Sequence, residues 1–294
     1  MRVFVTGATG FIGSAVVKEL LGAGHKVLGL ARSDAGANQL TAAGADVQRG
    51  SLADLDSVKR GAAESEGVAH LAFIHDFTDF AANCAKDKAA IEALGGVLAG
   101  SNRPLVVTSG VLGLAQGRPG TEEDVPSEAF PRRSESTGLS FASKGVRAMV
   151  IRLPPSVHGD GDHGFVPQLI KAAREKRFAA YVGEGKNLWP AVHRLDAARL
   201  YRLALEKGTA GGRYHGVGDE GVPTGDIAEV IGKRLNVPAL SKSAEEVAAA
   251  LGFVGQVFAM GAAASAKLTQ ERLGWRPMEK GLIADLEHGR YFEA

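Results

Sequence analysis

At 294 residues the chain is long enough for one large or two intimate domains, and 45% hydrophobic with 23% charged residues is an ordinary globular balance. Its 34 basic and 33 acidic residues leave a formal net charge of +1 with no basic run, which argues against nucleic acid or a membrane surface and for a small-molecule partner. The single cysteine, Cys84, excludes an internal disulfide framework, no Cys/His cluster has zinc spacing, and no leader or membrane-length apolar run is evident. A cytoplasmic protein without a metal is therefore expected.

Residues 3–5 form a short apolar run, followed by a glycine-rich turn and a helical pattern over about 13–23. Further runs of strand length lie at 27–30, 45–48, 68–73, 105–108 and 148–153, with a long helical pattern over about 80–98. Short β-branched runs separated by helices predict βαβ crossovers, hence an α/β protein with a doubly wound, buried parallel sheet. After Arg152-Leu153-Pro154-Pro155 the rhythm changes. A Gly/Asp/His loop at 159–164 leads into an amphipathic helix over about 165–176, then short segments near Tyr181, 189–193 and 213–217. Helices are expected at 196–206, 224–235, 243–251 and 265–273. Ser243 with Glu246 three residues on reads as a capping box, and Asp196 and Thr224 as helix N-caps.

The turn after the first strand reads Thr6-Gly7-Ala8-Thr9-Gly10-Phe11-Ile12-Gly13. Its first glycine permits a tight turn, the second lets backbone approach a pyrophosphate, and the third lets helix and strand pack closely. The helix N-terminus then offers free N–H groups to the phosphates. This is the opening of a Rossmann-type nicotinamide dinucleotide site. The second strand should end beside the adenosine ribose, where Arg32 and Ser33 suit a 2′-phosphate and favour NADP over NAD. The competing reading is that Arg32 is solvated and Asp34 holds the ribose. Ser51 and Leu52 fall near the adenine. The expected organisation is an NADP-binding domain over 1–156, to which 189–217 return, and a smaller substrate-binding domain over 157–294.

Several further segments carry a family resemblance. They are Val68-Ala69-His70-Leu71-Ala72, Val107-Thr108-Ser109-Gly110, Ile151-Arg152-Leu153-Pro154 with Val157-His158-Gly159, Val192-His193-Arg194-Leu195-Asp196, and Leu273-Gly274-Trp275-Arg276-Pro277. With the glycine loop, they resemble the extended, epimerase/dehydratase-like branch of the short-chain dehydrogenase/reductase superfamily. The resemblance implies cofactor contacts from Leu71, Ala72, Thr108, Pro154 and Ser156, the last two in a stretch that touches the nicotinamide carboxamide. It also implies pairing into homodimers through helices. That family transfers protons with a Tyr-x-x-x-Lys pair after the fifth strand. None of the four tyrosines here, Tyr181, Tyr201, Tyr214 and Tyr291, lies there or has a lysine four residues later.

The segment in place of that pair offers Arg133, able to grip a phosphate or polarise a carbonyl, and Glu135, able to orient it. A solvated ion pair at a helix start is the alternative. The family's catalytic serine corresponds to Thr108, Ser109 or Gly110 depending on alignment, and Ser109 is preferred. His158 stands where relatives carry tyrosine and is the first candidate proton carrier, with His163 the second. His193 and Asp196 resemble a structural pair in the family, and Phe165, Tyr181 and Trp189 fall in the region that builds the substrate pocket. The expected function is an NADP(H)-dependent oxidoreductase acting on a small carbonyl or alcohol. The alternatives are a non-catalytic dinucleotide sensor and a sugar-nucleotide epimerase or dehydratase.

Overall fold

The computed structural model describes residues 1–127 and 131–293. The first part of the chain forms β1 (Arg2–Thr6), α1 (Phe11–Gly22), β2 (Lys26–Ala31), α2 (Asp34–Ala42), β3 (Asp46–Arg49), α3 (Leu55–Ala63), β4 (Gly67–His70), α4 (Phe80–Leu98), β5 (Pro104–Gly110), α5 (Ser134–Leu139) and β6 (Arg147–Leu153). The second part adds β7 (Ser156–His158), α6 (Phe165–Lys176), β8 (Ala179–Val182), β9 (Leu188–His193), α7 (Arg194–Lys207), β10 (Arg213–His215), β11 (Asp219–Pro223), α8 (Thr224–Leu235), β12 (Ala239–Lys242), α9 (Ala244–Met260), α10 (Lys267–Leu273) and α11 (Leu282–His288).

Seven strands make one sheet in the order β10-β6-β5-β4-β1-β2-β3, and every pairing is parallel. The strands read as nearly continuous apolar runs because both faces are covered. On one face Val3, Val5, Val106 and Ile151 pack with Val16 and Leu20 of α1 and Leu200 and Tyr201 of α7. On the other, Phe4, Val68, Leu105 and Val107 meet Val58 of α3 and Ile91 and Leu94 of α4. This is the expected doubly wound α/β architecture. The chain returns to the large sheet with α7, and β10 extends it beside β6; of the expected return over 189–217, the first part, β9, instead joins the smaller sheet.

A smaller assembly combines the sheet β11-β9-β7 with the pair β12-β8. Its core gathers Val166, Trp189, Ile227 and Phe258. The expected capping box is present: Ser243 Oγ accepts from Glu246 N at 3.2 Å and Glu246 Oε2 accepts from Ser243 N at 2.8 Å. The helix it starts runs on past residue 251, because Gly252 takes φ +59° and ψ −137° and kinks the chain without ending it.

Two expected caps are corrected. Asp196 lies inside the first turn of α7, where it accepts the backbone N–H groups of Met278 and Glu279, while His193 is the N-cap and accepts from Leu195 N. Thr224 opens α8 behind Pro223, and its hydroxyl goes to Asn187 Oδ1.

His215 on β10 is buried with Nδ1 2.8 Å from Ser265 O and Nε2 3.1 Å from a terminal nitrogen of Arg152. Nδ1–H therefore donates and Nε2 accepts, the neutral form. Burial, opposed by Glu122 and reinforced by Arg152, pulls its pKa down to about 4. Between the ordinary histidine value and about 4 the unfolded chain binds more protons, so stability falls as pH drops through that window. Urea denaturation should show the wild type losing about 2 kcal/mol more than His215→Gln between pH 6.5 and 5. The same slope in both proteins would refute the assignment.

Candidate active site

The strand order reverses between β1 and β4, and a crevice opens there at the carboxyl ends of the strands, the expected place for a ligand in such a sheet. A cleft of about 1920 Å³ runs from Gly7, Gly10 and Gly13, past Leu71 and Ala72 after β4, to Thr108, Ser109 and Gly110 at the end of β5 and Pro154 after β6.

The glycine turn fits a dinucleotide pyrophosphate. Gly7 has φ +69°, and a Cβ on it would stand 2.8 Å from Ala72 N. A Cβ on Gly13 would stand 1.9 Å from Gly7 O, so only glycine lets α1 start this close to β1. Gly10 is the N-cap of α1, with no side chain bonded to the helix end and no acidic residue in its first turn. The amides and the positive helix end thus meet no competing carboxylate of their own helix. Thr9, Phe11 and Ile12 complete the lining here. Thr6 does not line the cleft: its buried hydroxyl accepts from Ala72 N and lies 2.9 Å from His70 Nδ1, tying β1 to the turn after β4.

At the ribose end Arg32, Ser51 and Leu52 line the cleft. Ser33 is instead the N-cap of α2, its oxygen accepting from Gly36 N at 3.2 Å. The Asp34 side chain is 95% exposed and paired with Arg49 at 2.8 Å, so the carboxylate that would compete for the ribose is turned to solvent.

Beyond Ser109 the cleft is lined by Arg132 and Arg133, which precede α5. The Arg132 guanidinium lies 4.1 Å from the Phe73 ring centre, donates from Nε to Ser134 Oγ at 2.8 Å, and donates from one terminal nitrogen to Thr108 O at 3.1 Å. Burial lowers its pKa, opposed chiefly by the negative charge of Asp87. His75 lines the same stretch, its pKa lowered by burial and then by Arg132, which favours the neutral imidazole. Thr108 Oγ1 donates to His70 O and lies 2.7 Å from the Tyr201 hydroxyl.

Glu135 has a different task from the one expected. It receives Arg152 through Nε at 2.8 Å and a terminal nitrogen at 2.6 Å, and Arg213 at 2.8 Å. Burial works to raise its pKa, but the two guanidiniums hold it below the ordinary carboxylate range. It touches the cleft wall as a tie between α5, β6 and β10, whereas Arg152 is wholly buried.

The placement of His158 and Ser156 needs correction. Residues 156–158 form a strand, so side chains alternate between faces, and Val157 lines the cleft while its neighbours turn away. His158 is 0% exposed with Nδ1 2.8 Å from Asp285 Oδ2, and Ser156 Oγ accepts the Trp189 indole N–H at 2.8 Å. His163 does line the cleft, edge-on to Phe11 with ring centres 5.8 Å apart. Asp162 beside it accepts from Gly164 N at 2.7 Å and from the Tyr291 hydroxyl at 2.9 Å, while burial raises its pKa. Arg194 clamps this loop onto the glycine turn, lying 4.6 Å from the Phe11 ring centre and donating to Asp160 O at 2.8 Å.

None of the four tyrosines lines the cleft. Sequence reasoning missed His75 and Arg132. His75 follows β4 at the switch point, where the crevice rule directs attention, and Arg132 adjoins the chosen Arg133 in a segment without periodicity. No helix among the described residues is long and apolar enough to cross a membrane, and those residues hold no group of His, Cys, Asp and Glu able to bind a metal.

Comparison with known proteins agrees with this fold. Residues 3–217 match the family described as NAD dependent epimerase/dehydratase family. An uncharacterized protein of Schizosaccharomyces pombe is 51% identical over 99% of this chain and 100% of its own length. A 4-hydroxy-2-methyl-3-oxo-4-farnesyl-3,4-dihydroquinoline-1-oxide ketoreductase of Stigmatella aurantiaca is 30% identical over 73% of this chain and 67% of its own. Among solved structures, dTDP-glucose 4,6-dehydratase of Streptomyces venezuelae with NAD bound superposes with a TM-score of 0.78 at 18% identity, covering 99% of this chain and 97% of that one.

Proposed function

The chain belongs to the NAD dependent epimerase/dehydratase family, and we propose that it is an NADP(H)-dependent oxidoreductase interconverting a carbonyl and an alcohol on a small organic molecule. One observation carries this reading: a single cleft joins the glycine cradle to a strand-end serine and two arginines. A ketoreductase among the relatives supports the reaction class. When bound, the reduced dinucleotide supplies hydride to the carbonyl carbon. Ser109 donates a hydrogen bond to the carbonyl oxygen, and the cationic arginines lower the cost of charge on it. With no tyrosine in the cleft, the proton comes from water or from the cleft histidine His163, His75 being held neutral by burial and by Arg132. We place the protein in the cytoplasm.

The preference for NADP rests on Arg32 lining the ribose end while Asp34 faces solvent. Fluorescence titration should show NADPH binding more tightly than NADH. Arg32→Gln should weaken NADPH by about 10- to 100-fold, the size of a lost charge-assisted hydrogen bond, and leave NADH unchanged. Equal or tighter NADH binding by the wild type would reverse the assignment.

Turnover is tested by following NADPH absorbance against ketones, aldehydes and enones. Tyrosines placed wholly outside the cleft favour one rival, a dinucleotide sensor without chemistry. Tight NADPH binding without turnover of any carbonyl would select it.

A further inference from the structure

A continuous hydrogen-bonded chain lies beneath the cleft. Ala72 N donates to Thr6 Oγ1 at 3.3 Å, and that oxygen lies 2.9 Å from His70 Nδ1. His70 Nε2 is 3.1 Å from Asp87 Oδ1. From the other side, Arg132 Nε donates to Ser134 Oγ at 2.8 Å and Ser134 Oγ donates to Asp87 Oδ2 at 2.5 Å. Thr6, His70, Asp87 and Ser134 are all buried.

The donors run one way on both arms. With His70 in its neutral Nε2–H form, Thr6 donates to Nδ1 and Nε2–H donates to Asp87, and Ser134 relays Arg132 to the same carboxylate. Asp87 is the acceptor at the end of both arms. Burial works to raise its pKa, but His70 and then Arg132 hold it low, so it stays ionised as the buried counter-charge of Arg132. A carboxylate this deep is tolerated only when paired in this manner.

Arg132 is thereby fixed by Ser134, by Thr108 O and by the face of Phe73. Among the described residues its second terminal nitrogen carries no hydrogen bond, and the side chain lines the cleft beside Ser109. Resting on the functional reading above, we propose that Arg132, oriented by Asp87 through Ser134, is the catalytic residue that stabilises the developing oxyanion in place of the family's tyrosine. Asp87 and Ser134 are its positioning residues. The carbonyl carbon accepts hydride from the reduced dinucleotide, which is oxidised. The π pair moves onto oxygen beside the Arg132 edge, and that oxygen then takes a proton from water, since a guanidinium holds charge without releasing a proton at neutral pH.

NADPH-dependent turnover of the carbonyl panel tests this. Arg132→Ala should lower kcat by about 100-fold, as loss of one oxyanion donor does, with the NADPH dissociation constant unchanged within about twofold. Added guanidinium ion should restore part of that rate. Ser134→Ala and Asp87→Asn should lower kcat rather than raise KM, and adding Ser134→Ala to Arg132→Ala should abolish the rescue. A wild-type rate in Arg132→Ala, or positioning variants that change only thermal stability, overturns the proposal. If the wild type binds NADPH and reduces no carbonyl, the functional reading fails by itself. The positioning is then decided by the Arg132 Nε–H proton in NMR: slow solvent exchange that Ser134→Ala accelerates supports it, and equal rates overturn it.

Discussion

Gly13→Val should raise the NADPH dissociation constant by about 100-fold or more, through overpacking at a point where backbone must move. The atoms in the way are the carbonyl oxygen of Gly7, 1.9 Å from the added Cβ, and its carbon at 2.7 Å. No rotamer relieves a clash with backbone, so the first turn of α1 has to lift off β1, carrying away the amides that face the pyrophosphate. Gly10→Ala provides the graded comparison, because its Cβ meets Gly7 O at 3.2 Å and asks for only a small shift. Fluorescence titration gives the affinities and circular dichroism melting confirms that each variant is folded. A folded Gly13→Val protein with wild-type affinity would show that the dinucleotide does not sit on this turn.

The largest loss of stability is expected from Glu135→Ala, about 3–5 kcal/mol, the cost of leaving a buried charge without its partner. Arg152 bears most of the loss: its side chain is wholly buried and Glu135 supplies both oxygens to it. Arg213 loses the same partner but is partly solvated, so it adds less. Glu135→Leu combined with Arg152→Met should recover most of the loss, because removing both charges together leaves no orphan. Urea denaturation at neutral pH measures all three proteins. A single variant within about 1 kcal/mol of wild type would mean that water replaces the carboxylate and that the tie is not structural.

Legibility divides along the range of the interaction. Thr6 to Gly13 could be read because strand, turn and helix start within eight neighbouring residues. The parallel sheet was readable from strands apolar on both faces, and the capping box at Ser243 from a three-residue spacing. Errors began where side-chain direction depends on a distant partner. Ser156 and His158 read as loop residues near the nicotinamide. Pairing of β7 with β9 makes the segment a strand and turns both away, leaving Val157 at the cleft. Asp196 read as a cap, but segments 82 and 83 residues further along supply the N–H groups it accepts.

The sequence by itself therefore determined the doubly wound α/β architecture, the glycine turn suited to a pyrophosphate, and the loss of the tyrosine–lysine pair, since each is written in local spacing or in residue identity. Only the tertiary structure decided which polar groups face the cleft. It brought Arg132 of one loop, Asp87 of α4 and His70 of β4 into one hydrogen-bonded chain, and it committed Glu135 to Arg152 and Arg213. Those pairings join residues up to 78 positions apart, and only packing of the sheet against its helices sets such distances.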